Sequence, residues 1–335
     1  MIKNGNQSFN FEKKIYIADT YSVVGPKENS GPLSSYFHKY FSDDLCGKTS
    51  YENAEQFMCT TAAEELLMKN NTIKPDIYIG GDLLNQIITT SFTARKLNVP
   101  YWGIYSACSS FGEAASVASM CVEAGMKSAV ITASSHFSTA ERQYRAPLEL
   151  GNQRPAWAQW TVTGAGAALI SDTDVNKNGV MIKGITIGKV VDLGVTDTDN
   201  MSAAMVPAAA DCIVAHFEDN SIDESYYDFI ITGDLTSYGG ELLCSLLEQN
   251  NIKIKSKHLD CGALIFDTKN QHVYSGGSGC ACFSTVFSGY FYQLLCKKAI
   301  KRVLCIPTGA LLSPTSSQQG ESIPGVAHAF RAEVE

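Results

Sequence analysis

The sequence predicts an α/β protein of five layers, built from two duplicated halves, and three observations carry that prediction. Short apolar runs alternate with amphipathic or alanine-rich stretches along the chain, the pattern of mainly parallel sheets with helices on both faces. The segment Asp76-Ile77-Tyr78-Ile79-Gly80-Gly81-Asp82-Leu83 returns 152 residues later as Asp228-Phe229-Ile230-Ile231-Thr232-Gly233-Asp234-Leu235. The motif Ser106-x-Cys108-x-x-Phe111 returns as Ser278-x-Cys280-x-x-Phe283, each copy opening an apolar stretch. Together these mark an internal duplication, with halves expected at 1–173 and 174–335.

Taken in order, Ile15–Ala18 reads as a first strand, followed by a loop with Gly25-Pro26 and Gly31-Pro32. Ala54–Asn70 reads as a helix, with Glu55, Glu64 and Glu65 punctuating Ala, Leu and Met. Asp76–Gln86 is a strand ending in Gly80-Gly81-Asp82 and running into a helix. Tyr101–Tyr105 is a buried strand that turns through Ser106–Ser110 into a helix ending at Gly125, a residue suited to a C-terminal cap. Small residues on every side leave this helix no polar face, so it is expected to be buried with other backbone close around it. Two such helices, one per half, would stack between two sheets.

Cys108 is expected at the first turn of that helix. Free N–H groups and the helix dipole there favour a thiolate or a bound anion. An inert core cysteine is the competing reading. Ser128–Ala133 is the next strand. The segment from Ser134 to Ile170, rich in Arg, Gln, Trp and Pro before a Gly-Ala strand, reads as a loop that carries function. In the second half Val180–Val191 is strand-like, Ala203–Phe217 helical and Lys301–Ile306 a strand. Asp82 and Asp234 read as helix N-caps. Gly276-Gly277-Ser278-Gly279 reads as a tight turn that matches no phosphate or dinucleotide fingerprint, and no cofactor is expected.

A chain of 335 residues with 45% hydrophobic and 18% charged residues can bury a large core. The net charge of −8, without a long basic run, argues against nucleic acid as a partner. The eleven cysteines are scattered and form no C-x-x-C pair. That suits a reducing compartment rather than a zinc site or a disulfide framework, and no metal site is expected. The N-terminus lacks the apolar core of a signal peptide, and no run of about 18 apolar residues is present to span a membrane.

The motifs Gly81–Gln86 (GDLLNQ), Ala107–Ser110 (ACSS), Ala133–Phe137 (ASSHF), Gln143–Glu149 (QYRAPLE), Ala158–Ala167 (AQWTVTGAGA) and Gly320–Ala329 (GESIPGVAHA) carry a resemblance over essentially the whole chain. A duplicated α/β chain with a cysteine at the start of the first central helix resembles the thiolase superfamily. Within it the motifs are similar to the stage V sporulation AD family. The resemblance implies a thiolase-like fold and a binding protein for dipicolinic acid, taken free or as its calcium chelate. It implies uptake of that ligand into the developing spore and release at germination. Its partners would be the other stage V sporulation A membrane proteins, at the cytoplasmic face of the spore inner membrane, and a second copy in a homodimer.

The resemblance also implies what a condensing enzyme would need beside Cys108: a His and an Asn from the second half, to activate the thiol and stabilise an oxyanion. The His position follows the strand ending at Thr232-Gly233-Asp234-Leu235, and the Asn lies in the turn that here reads Ser275–Gly279. Neither residue is present there. Of the six histidines, only His136 lies on a motif of the first half. Acyl transfer through Cys108 is therefore the alternative reading and not the leading one.

Dipicolinate needs cations or helix N-termini for its carboxylates and an apolar wall for its ring. The candidate ligand residues are Cys108, Ser109, His136, Arg145, Gln159, Trp160 and Thr163. Arg142 and Arg154 read as surface or loop-pinning residues, and Trp160 has a competing reading as core.

Overall fold

The computed structural model describes residues 1–145 and 154–335, so Ala146–Glu149 of the QYRAPLE motif lie outside the described residues. Its layering follows from the two-residue period of the strands, whose alternate side chains enter different cores. Along the first half run β1 (Tyr16–Val24), α1 (Tyr51–Lys69), β2 (Ile77–Asp82), α2 (Ile88–Leu97) and β3 (Tyr101–Gly103). Then come α3 (Ser110–Glu123), β4 (Ser128–Ser135), α4 (Phe137–Tyr144) and β5 (Gly164–Ser171). In β2, Ile77 and Ile79 enter a central core while Tyr78 enters an outer one. In β4, Ala129 and Ile131 point to the central core and Val130 to the outer.

The pattern repeats in β6 (Val180–Thr186), α5 (Met201–Asn220), β7 (Phe229–Thr232), α6 (Thr236–Glu248) and β8 (His258–Asp260). It continues through α7 (Cys280–Val286), one π turn at Phe287–Phe291, α8 (Tyr292–Cys296), β9 (Arg302–Ile306) and β10 (Ala329–Val334). Ile231 and Phe330 enter the central core, whereas Ile230 and Ala329 enter a second outer core packed by α5.

The strand orders are β3-β2-β4-β5-β1 and β8-β7-β9-β10-β6, the same order twice. Only β5 and β10 run antiparallel to their neighbours within these two sets. The other pairings are parallel, between β2 and its neighbours β3 and β4, and between β7 and its neighbours β8 and β9. The sets join where Tyr16 of β1 pairs with Met181 of β6. Helices α1 and α2 cover the first sheet's outer face, α5 and α6 serve the second, and α3 and α7 lie between the sheets. This is the five-layer α/β arrangement the duplication predicts.

Helix α3 is as buried as its composition predicts. A Cβ at Gly112 would lie 2.6 Å from the His328 carbonyl oxygen, so the small residue lets the chain before β10 press against the helix. Gly125, at φ +119°, ends it: Gly125 N–H donates to Val122 O and Met126 N–H to Cys121 O, a Schellman cap. Phe111 of α3 and Phe283 of α7, equivalent residues of the repeated motif, meet with ring centroids 5.9 Å apart. Phe330 closes edge-on over Phe287 at 5.5 Å. Burying each such ring contributes roughly 2–3 kcal/mol.

Four expectations change. The strand expected to be buried at Tyr101–Tyr105 is the short β3, which ends at Gly103 and is exposed because it is the outermost strand of its sheet. Strand β1 runs on to Val24, paired with β5 along its length, and the buried Asp19 within it is held by Asn70 Nδ2 (2.9 Å) and Lys69 Nζ (2.9 Å). The strand-like stretch from Val180 stops at Thr186. The two aspartates are not matched helix caps. Asp82 accepts from the Thr90 N–H, in the first turn of α2, at 2.8 Å. Asp234 caps nothing, because Asp260 takes the Leu235 and Thr236 N–H groups at 2.9 and 2.8 Å. No helix among the described residues is long and apolar enough to cross a membrane.

Candidate functional site

Helix α3 begins at Ser110, so Cys108 sits two residues ahead of it rather than in its first turn. The turn is tightened by Ala107 at φ +49° and by Ser110 Oγ, which donates to Ala107 O at 2.6 Å. Ser109 anchors it to the second sheet: its Oγ donates to Pro307 O (2.7 Å) and accepts the His328 N–H (3.1 Å). Gly309 presses on the same turn, and a Cβ there would overlap the Ser106 carbonyl oxygen. The cysteine is thus fixed by contacts from the opposite sheet.

Cys108 opens onto a narrow pocket of about 40 Å³ where strand ends and helix starts of both sheets converge. Leu83, Ala140, Met201 and Leu312 give it apolar walls, and Tyr105 and Tyr144 add rings whose hydroxyls lie 3.3 Å apart. Gly279, at φ +101°, brings the turn before α7 to the pocket; a Cβ there would lie 2.6 Å from Ser135 Oγ. The pocket's charge comes from Glu141 and Arg145. Glu141 is 6% exposed and pairs with both Arg145 and Arg154.

The expected thiolate is not what this environment favours. Burial pushes the Cys108 thiol well above its ordinary pKa, Asp234 adds to the shift, and Arg145 offsets only part of it. Burial outweighs the field of the nearby helix start. Asp234 is fully buried with no hydrogen-bond partner for either carboxyl oxygen. Burial, then the neighbouring Asp260, pushes its carboxyl well above the usual range and favours the neutral acid. The Gly279 N–H lies near both groups.

Of the seven residues expected at the site, the structure brings Cys108 and Arg145 to the pocket. Ser109 is spent on the cross-sheet anchor. His136 is buried at the start of α4, its Nδ1 accepting the Ser138 N–H and its Nε2 facing Asp44 O at 2.8 Å. Burial pushes that ring's pKa down. Thr163 Oγ1 accepts the Phe137 N–H at 3.1 Å. Trp160 stacks on Phe137 with centroids 3.7 Å apart, with Lys27 Nζ 4.3 Å from its ring. Gln159 is buried and donates to Ser202 Oγ (2.8 Å). Arg142 pairs with Glu52 between two helices on the surface and pins no loop. Arg154 does pin a loop, donating to Gln159 O at 2.9 Å, but it also holds Glu141.

Among the described residues no histidine lines this pocket, and no group of three or more His, Cys, Asp or Glu is placed to hold a metal ion. Sequence reasoning missed Glu141, Tyr105 and Tyr144. The Glu141-x-x-x-Arg145 spacing, which puts an acid and a base on one helix face, was the available signal for the first. The tyrosines had none.

Comparison with known proteins agrees with this fold. The family model described as stage V sporulation protein AD matches residues 5–333. Stage V sporulation protein AD of Bacillus subtilis (strain 168) is 43% identical over 327 residues, covering 97% of this chain and 96% of that protein. Cerulenin-bound OleA from Xanthomonas campestris superposes with a TM-score of 0.60 at 14% identity, over 97% of this chain and 98% of that one. 3-Oxoacyl-[acyl-carrier-protein] synthase III from Aquifex aeolicus gives 0.56 at 14% identity, over 98% and 100%. At such identities the likeness is one of fold, and that fold is thiolase-like.

Proposed function

Because the chain belongs to the stage V sporulation protein AD family, we propose that it is a non-catalytic, thiolase-like binding protein for dipicolinic acid (pyridine-2,6-dicarboxylate), free or as its calcium chelate. The observation that carries this reading is a single pocket that joins Arg145 to apolar and tyrosine walls beside a cysteine held as the thiol. The guanidinium suits a carboxylate and the walls suit a flat ring. Calorimetric titration tests it. Wild type should give saturable heat with dipicolinate that Arg145→Ala abolishes, and no heat at roughly millimolar ligand (about −4 kcal/mol of binding free energy) overturns it.

In this reading the protein acts in uptake of the ligand into the developing spore and its release at germination. It works at the cytoplasmic face of the spore inner membrane through the other stage V sporulation A membrane proteins. It acts as a homodimer. Strand β3 supports the last point, since it is the outermost strand of its sheet and carries Trp102 at 53% exposed. An exposed apolar edge of that kind invites pairing.

A condensing enzyme using Cys108 is the second reading, favoured by the position of that thiol on the pocket of a condensing-enzyme fold. It requires a Cys108-dependent mass increase with acyl thioesters. Equal intact masses for wild type and Cys108→Ala after incubation remove it.

A further inference from the structure

The carboxylate of Glu141 lies in the pocket wall with an arginine on each side of it. One oxygen meets Arg145 and the other meets Arg154. Arg145 borders the pocket beside Glu141, whereas Arg154 lies beyond it, donating to Gln159 O and lying over the Phe137 ring at 5.1 Å. The three side chains are about nine-tenths buried. Asp199, more exposed, stands 3.8 Å from Arg145 Nε. The one cation lining the pocket among the described residues is therefore already engaged by an internal carboxylate.

We infer that Glu141 occupies the anion position of this pocket, and that a ligand carboxylate takes its place on Arg145 while Arg154 retains Glu141. The inference rests on the dipicolinate reading above and adds how that site is loaded. Two features make the exchange feasible. Glu141 is shared, so releasing Arg145 leaves its other oxygen in a charge-assisted bond, and no buried charge is left unpaired. The incoming group has the same chemistry as the one displaced, so Arg145 changes partner without losing one. The pocket would then prefer carboxylates to uncharged rings of equal size, since only an anion can substitute for Glu141.

This assigns Arg154 a role although it does not border the pocket: it is the residue that receives Glu141. A scaffold role for Glu141, holding Arg145 in position for the ligand, predicts effects of the opposite sign. Calorimetric titration of the full chain with dipicolinate separates the two. Glu141→Gln should bind about tenfold tighter than wild type, because the competing charged partner of Arg145 is gone. Arg154→Gln should bind about tenfold more weakly, because Glu141 then has Arg145 alone. The double variant Glu141→Gln/Arg154→Gln should regain at least wild-type affinity, because Arg154 matters only through Glu141. Thermal melts of each variant establish that the folded protein is being titrated. Weaker binding by Glu141→Gln, or a double variant no better than Arg154→Gln, overturns the inference while leaving the dipicolinate reading intact. Absence of binding by wild type overturns that reading itself.

Discussion

Cys108 and Asp234 are both buried beside the Gly279 turn, and of the two only Cys108 lines the pocket. The carboxyl stands after β7, where the condensing enzymes that the sequence resembles place a histidine. An imidazole there could take the thiol proton, whereas burial favours the protonated form of the Asp234 carboxyl. Among the described residues no histidine lines the pocket beside the Cys108 thiol.

The first consequence is low reactivity. At pH 7.5, iodoacetamide should modify Cys108 at least about tenfold more slowly than free cysteine, since the thiolate is the reactive form and burial suppresses it. Peptide mapping resolves Cys108 from the other ten cysteines. A Cys108 rate equal to or above that of free cysteine contradicts the electrostatic account.

A second consequence concerns pH and stability. Glu28 is fully buried, and burial raises its carboxyl to about 8, against a Thr163 N–H that donates to it at 2.9 Å. Folding therefore takes up a proton at Glu28. Its stabilising contribution is fully present below about pH 4.5 and is lost as pH rises through about 8, by at most about 1.4 kcal/mol per unit. Glu28→Gln should flatten the fall in stability across that window, measured by urea unfolding from pH 5 to 8. A variant that loses stability with pH as steeply as wild type would show that Glu28 does not titrate this way.

The duplication was legible because it rests on chemistry that repeats: aspartate, glycine and leucine at strand ends, and cysteine and phenylalanine at the two central helices. The burial of α3 was legible from its small residues, and its end from Gly125. The site was less so. Cys108 and Arg145 stood out as residue types that bind anions near a helix start. Glu141 did not, because an acid four residues before an arginine is common on exposed helix faces, and its second partner, Arg154, reaches it only through the fold. His136 looked like a ligand because it ends a strand, yet α4 starts there and the ring caps it. Asp82 and Asp234 looked alike because sequence shows the residue and not its partner. Asp260, from β8, serves the N–H groups that Asp234 leaves.

The central layer yields a third expectation. Phe283 is fully buried and touches Phe111, Phe287 and Phe330. Phe283→Ala should cost about 3–5 kcal/mol in urea unfolding, the range for emptying an aromatic site in a core. A loss below about 1 kcal/mol would mean that the sheets close over the gap and are less tightly set than this packing implies.

A fourth lies at the cysteine turn. Gly309→Ala puts a methyl group into the Ser106 carbonyl and against the Ser109 amide. The turn has to move, at a cost of about 1–3 kcal/mol, and dipicolinate affinity should fall with it. Unchanged stability and affinity together would show that the opposite sheet does not set the position of Cys108.

A crystal structure of the protein soaked with dipicolinate tests the central claim most directly. The account predicts the ring between the Tyr105 and Leu312 walls, one carboxylate on Arg145, Glu141 turned to Arg154 alone, and Cys108 Sγ unmodified. Dipicolinate bound away from Arg145, or none in the pocket of a crystal soaked to saturation, would contradict it.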